Sequence, residues 1–355
     1  MEVFDLTTNE KIGQMFMFGI NNKDITPLYS LIRDYKIGGV ILYKKNYSSY
    51  QEMVDIINKL KDANKENKIP LFIAIDQEGG RVNRLPNEIH NIKNIYDLSS
   101  LNDINILKKS VDITSYILSN SGINMNFSPV LDIYNGMENG VLYKRCFSSD
   151  IDVVSNYGVS YMKKLQDNNI ISVIKHFPGH GMSRKDSHIF VPVVHNKKLY
   201  DSHVKPFLDA INNSCDALML GHIVVKGITY GVPASISKRF IKNYIRDKYN
   251  YNGLVITDDI RMMALSFYRF NIIDRVFNSG SDIVLFKYKK NDYKIINRVV
   301  DMYNNKKIDN ELINSSVDRI IKIKEKYNIN DNKVSNIIDI DLINKDIDEI
   351  NSNFK

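Results

Sequence analysis

Eight short apolar runs, rich in β-branched residues and separated by longer amphipathic stretches, constrain this chain more than any other feature. They lie at Gly13–Ile20, Ile37–Leu42, Leu71–Ile75, Met125–Val130, Ile171–Ile174, Ala217–Leu220, Leu254–Thr257 and Asp282–Phe286. Runs of this length without polar alternation suit strands buried on both faces, as in a parallel sheet. The intervening segments, such as Tyr50–Asn64 and Ile104–Asn120, carry helical spacing. Strand followed by helix, eight times over, predicts an α/β fold of the (β/α)8 TIM-barrel type. The 355 residues would otherwise suggest two domains. A barrel accounts for residues 1–328 as a single domain, with helical spacing continuing over Ser315–Tyr327. Residues 329–355, rich in Asn, Asp, Ile and Lys, remain as a tail or an extra helix. No internal repeat is present.

Polar and glycine-rich motifs follow the apolar runs and rarely precede them. Asp76-Gln77-Glu78-Gly79-Gly80-Arg81 follows the third, Asp132 the fourth, Lys175-His176 the fifth, His222 the sixth and Asp258-Asp259 the seventh. A single polar strand end means only that the chain is leaving the core. Five in order converge, in a barrel, on the face where active sites are built.

The segment Lys175–His188 is the most informative. Pro178, Gly179 and Gly181 keep it from continuing as a helix, so it reads as a loop over the barrel mouth. Only seven histidines occur in the chain, and His176, His180 and His188 fall within this stretch. Three readings compete. The imidazoles could bind a metal, although a Pro-Gly loop lacks the usual ligand spacing. They could merely satisfy backbone groups. Or one of them could transfer protons with an oriented partner, and Asp186-Ser187-His188 places a carboxylate two residues from an imidazole, on the same side of an extended segment. An adjacent carboxylate fixes the tautomer and stabilises the imidazolium, as in hydrolase triads.

Two further segments carry polar clusters. Gly253–Met262 ends an apolar run in Asp258-Asp259, of which either could face the mouth and either could cap the next helix. Asp76–Leu85 combines paired glycines with acids and arginines, a pattern suited to clamping a polar ligand. There is no phosphate-cradling loop and no dinucleotide fingerprint, so no cofactor is expected. The two cysteines, Cys146 and Cys215, are too few for a disulfide scaffold or a cysteine-rich zinc site. The formal charge of +7 is spread along the chain and interleaved with acids, which argues against a nucleic-acid partner. The opening Met1-Glu2-Val3-Phe4-Asp5 does not read as a signal peptide. No apolar stretch approaches the ~18 residues of a membrane span, so no membrane partner and a cytoplasmic location are expected. The abundant Asn and Lys read as compositional bias.

Taken together these segments resemble glycoside hydrolase family 3, in particular its single-domain bacterial β-N-acetylhexosaminidases. The resemblance runs from Lys11–Phe16 to the Ser315–Ile320 region. It is carried by Lys175–Gly181 with Asp186-Ser187-His188, by Asp76–Leu85, Asn124–Asp132, Arg145–Ser148, Pro233–Ser237 and Thr257–Asp259. It implies a nucleophile at Asp258 and an acid/base at His188 paired with Asp186. It also implies that Asp76, Arg84, Arg145, Lys175 and His176 grip the terminal sugar. The activity implied is a retaining exo-β-N-acetylglucosaminidase acting on peptidoglycan fragments, with a GlcNAc-containing muropeptide or disaccharide as substrate. Glu78, the carboxylate a simple reading would nominate as acid, is assigned a local structural role beside the glycines. The stretch Phe177–Ser187 is expected to open and close with substrate. Departures from the family pattern occur at Met182–Lys185, Lys144 and Leu220-Gly221. Competing readings are a β-glucosidase, a phosphorylase using phosphate in place of water, and a sugar-binding barrel without turnover.

Overall fold

The computed structural model describes residues 2–138, 140–183, 191–335 and 337–354. Each expected apolar run supplies one strand. These are β1 Phe16–Gly19, β2 Gly39–Leu42, β3 Phe72–Ile75, β4 Met125–Asn126, β5 Ile171–Phe177, β6 Ala217–Leu220, β7 Leu254–Thr257 and β8 Val284–Lys287. They form one parallel sheet in the order β8-β1-β2-β3-β4-β5-β6-β7. A parallel bridge between Ile256 and Ile283 and a bond from Thr257 N to Ile283 O (3.0 Å) bring β7 against the segment entering β8. The sheet is thus a nearly closed (β/α)8 barrel. The first run differs in detail, because Gly13 and Gln14 end the helix Thr8–Gln14 and the strand starts at Phe16. The fifth strand runs past Ile174 to Phe177, with a register irregularity between those residues.

The strands are buried almost without interruption because helices cover them outside and side chains fill the barrel inside. Phe16, Phe18 and Phe286 stack within β1 and β8, with centroids 5.1–5.7 Å apart. The helices start where the sequence offers side-chain acceptors. Ser49, Asp103, Asp150, Asn196 and Asp309 each take a backbone N–H from the first turn of the helix that follows. Asn102, Asn169, Asn250, Asn291 and Asn328 adopt positive φ, where asparagine is better tolerated than most residues. Part of the asparagine content read from sequence as bias therefore has a structural use.

The end of the barrel opposite the strand C-termini is held by buried charge. Lys324, on the helix Asn310–Lys326, donates from Nζ to Gln14 Oε1 (2.7 Å), Gly38 O (2.9 Å) and Pro70 O (2.6 Å), which uses all three of its N–H groups. Burial pushes its pKa down to about 7, only partly offset by Asp331. Asp282, at the entry to β8, accepts from Val255 N (2.7 Å), Arg246 Nη2 (2.7 Å) and Arg319 Nε (2.9 Å). Burial alone would raise this carboxyl, but Arg319, Arg246 and the hydrogen bonds outweigh it and hold it below the usual range. Past residue 328 the chain crosses to a helix at Ile340–Ser352, which buries Ile343, Ile347 and Ile350. Among the described residues no helix is long and apolar enough to cross a membrane.

Removing the Asp282 charge leaves two arginines without their buried partner, which costs on the order of 3–5 kcal/mol. Asp282→Asn should therefore lower the melting temperature by several degrees at neutral pH. The contribution of a depressed carboxyl is complete above about pH 4 and is lost as pH falls through the folded pKa. Wild type and variant melting curves should thus converge in acid; a constant offset down to pH 2 would contradict the pairing.

Candidate active site

The ends of β3, β4, β5 and β7 enclose a cavity of about 180 Å³. Asp76, Arg84, Arg145, Lys175, His176 and Asp258, all proposed from sequence, line it together with Glu78, Val82, Phe127, Met219 and Leu285. Asp186 and His188 lie outside the described residues, as do the neighbouring Arg184 and Lys185. Of the expected moving stretch, Phe177–Ser183 is described. It ends β5 and forms a short 3-10 turn at His180–Met182.

The cavity is organised by Glu78. Its Oε1 and Oε2 take a bidentate pair of bonds from Arg145 Nη2 (2.7 Å) and Nε (2.8 Å), and Lys175 Nζ sits 2.6 Å from Oε1. The same ammonium donates to Asp76 Oδ1 at 2.8 Å. One carboxylate thereby joins the loop after β3, the loop after β4 and β5. Burial alone would raise the Glu78 pKa, but the two cations overcome it and hold the carboxyl far below the ordinary range. The local role expected beside the glycines is thus only part of what Glu78 does. Gly79 and Gly80, at φ +84° and +54°, turn the backbone behind it.

Arg84 is placed by its main chain. Asn126 of β4 accepts from Gln77 N and donates to Gln77 O, both at 2.9 Å, and Gln77 Oε1 accepts from Arg84 N at 2.8 Å. The Arg84 Nε is buried with no hydrogen-bond partner among the described residues.

Asp132, which sequence reading marked only as a polar strand end, anchors the other side. It is buried and accepts from His176 Nδ1 (2.7 Å), His176 N (3.2 Å) and His180 N (2.5 Å). Burial would raise its pKa, but His176 and His180 outweigh that and lower it. Because Asp132 is ionised, the bond to Nδ1 assigns the His176 proton to that nitrogen and leaves Nε2 free of it in the neutral ring. Gly181 has no room for a side chain, since a Cβ there would come within 2.0 Å of Ile133 O.

The two members of the pair left open by the sequence differ in what they face. Asp258 lines the cavity and accepts from Asp259 N at 2.8 Å through Oδ1. Asp259 points its Oδ1 at Arg261 N (3.0 Å) and Lys287 N (3.2 Å), and burial raises its pKa. Among the described residues there is no group of three or more His, Cys, Asp or Glu arranged to hold a metal ion.

Residues 7–323 match the N-terminal domain of glycosyl hydrolase family 3. Beta-hexosaminidase A of Pseudoalteromonas piscicida is 32% identical over 330 residues, covering 84% of this chain and 55% of that protein, so the chain spans about half of that relative's length. Beta-hexosaminidase LpqI of Mycobacterium tuberculosis is 26% identical over 90% of this chain and 83% of its own. A solved family 3 β-N-acetylglucosaminidase from Paenibacillus sp. str. FPU-7 superposes with a TM-score of 0.90 at 27% identity, over 97% of this chain and 68% of that one. The barrel, its cavity and these matches together place the chain in glycosyl hydrolase family 3.

Proposed function

We propose that the chain is a retaining exo-β-N-acetylglucosaminidase that removes terminal β-linked GlcNAc from peptidoglycan fragments. The observation that carries this is the single cavity in which Asp258 faces Asp76, Arg84, Arg145, Lys175 and His176. Its volume of about 180 Å³ suits one sugar ring, well below the ~300 Å³ and more of sites for larger ligands. The named relatives supply the choice of sugar.

In the proposed reaction Asp258 attacks the anomeric carbon as the bond to the glycosidic oxygen breaks, giving a glycosyl ester. His188, protonated and held by Asp186, gives its proton to the departing oxygen. A water then attacks the same carbon, His188 takes its proton, and the ester bond to Asp258 breaks with net retention. Retaining enzymes commonly use a second carboxyl as the acid. Here the other carboxylates on the cavity, Asp76 and Glu78, are bound to Lys175 and Arg145, and Glu78 is held ionised. An ionised carboxylate has no proton to give, which supports assigning that role to the histidine on the neighbouring loop.

Hydrolysis of a p-nitrophenyl N-acetylglucosaminide tests the reading. Asp258→Asn should lose on the order of 10³-fold or more in kcat. His188→Ala should lose on the order of 10²-fold or more with a disaccharide, and less with the aryl glycoside, whose good leaving group needs little protonation. Near-wild-type rates in either variant on the disaccharide would overturn the assignment, and faster release on adding phosphate would favour a phosphorylase. Glu78→Gln leaves Arg145 and Lys175 without their shared carboxylate, so kcat/KM should fall about tenfold or more and the melting temperature should drop. Unchanged kinetics would show that the bracket is not needed to shape the sugar site.

A further inference from the structure

His222, just past the end of β6, is fully buried and is not among the residues lining the cavity. Its Nε2 lies 2.9 Å from the carbonyl oxygen of Asp259, and its Nδ1 lies 2.7 Å from Ser235 Oγ. A carbonyl only accepts, so the ring proton is on Nε2. Burial pushes the imidazole below its ordinary range, against the pull of Asp258 and of the Asp259 contact, so the ring is neutral. Its bare Nδ1 therefore accepts from the Ser235 hydroxyl. The hydrogen bonds run one way, from Ser235 to His222 to the Asp259 carbonyl, which also accepts from Met262 N at 3.0 Å.

Asp259 is fixed at every polar group. Its carbonyl is held by His222 and Met262, its carboxylate by Arg261 N and Lys287 N, and its own N–H donates to Asp258 Oδ1 at 2.8 Å. Asp259 thus transmits the placement of the buried His222 and of the β8 end at Lys287 to the oxygen of Asp258.

We propose that His222, oriented by Ser235, is a positioning residue that holds the Asp258-Asp259 turn and so aims the nucleophile at the anomeric carbon. The proposal rests on Asp258 as nucleophile. An apolar side chain of similar volume would fill the same space but would withdraw the donor from the Asp259 carbonyl. The terminal sugar is gripped elsewhere, by Asp76, Arg84, Arg145, Lys175 and His176, so the predicted loss falls on kcat and spares sugar affinity.

The test compares His222→Leu, His222→Gln and Ser235→Ala with wild type, by kcat on the aryl N-acetylglucosaminide and by calorimetric binding of free GlcNAc. His222→Leu should lose about tenfold or more in kcat with GlcNAc affinity unchanged. His222→Gln, whose Nε2 reaches the same carbonyl, should recover most of the loss. Ser235→Ala should show a smaller loss that vanishes in the His222→Leu background, as expected of two links in one chain. Wild-type kcat in His222→Leu overturns the proposal, as does an equal loss in the Leu and Gln variants when both bind GlcNAc normally. Should the Leu variant not fold, Ser235→Ala decides, and wild-type kcat in that variant overturns the proposal. An active Asp258→Asn enzyme overturns the nucleophile assignment itself, so the two failures are read in different variants.

Discussion

The site depends on one buried carboxylate shared by two cations. Glu78 is only 5% exposed, and an isolated ion in such a place would be prohibitively costly. Arg145 and Lys175 make it tolerable, and because they come from the loop after β4 and from β5, the electrostatic requirement is also a geometric one. Among the described residues neither cation has another ion-pair partner except Asp76 on Lys175. The three strand ends are therefore held in one arrangement before any ligand arrives, so less ordering remains for binding to do.

A second anchor works on the same principle with different chemistry. Asp132 collects two backbone N–H groups and one imidazole at the junction where β5 becomes the loop. It fixes His176 toward the cavity and clamps the base of the segment that leads to Asp186 and His188. At the far end of the barrel Lys324 and Asp282 play a purely architectural part. Polar groups that build chemistry and polar groups that build stability thus occupy opposite ends of the same strands, the usual division of labour in this architecture.

Much of this was legible in the sequence, and the reasons differ by feature. The eight strands were readable because burial on both faces leaves no room for polar alternation, so each strand announces itself locally. The positions of Asp76 and Asp258 were readable because they sit directly after strands, and those of Lys175 and His176 because they end the apolar run of β5. Partnerships were not readable. Glu78 meets Arg145 across 67 residues, Asp132 meets His176 across 44, and nothing within either local segment encodes the other. The choice between Asp258 and Asp259 illustrates the limit well. Adjacent identical side chains differ only in the direction the backbone gives them, and that direction depends on Lys287 of β8 and on His222 just past β6. Glu78 could have been found by asking what neutralises Lys175, a lysine placed directly after a buried apolar run.

The cavity has Phe127, Met219 and Leu285 among its walls, and the barrel beneath is packed solid with side chains, so it has no rear exit. In the proposed reaction the freed sugar must leave through the opening by which the rest of the substrate entered. On that proposed reading each cleavage ends in release, because the sugar and the remaining substrate share one opening, and the proposed activity is that of a distributive trimmer of chain ends.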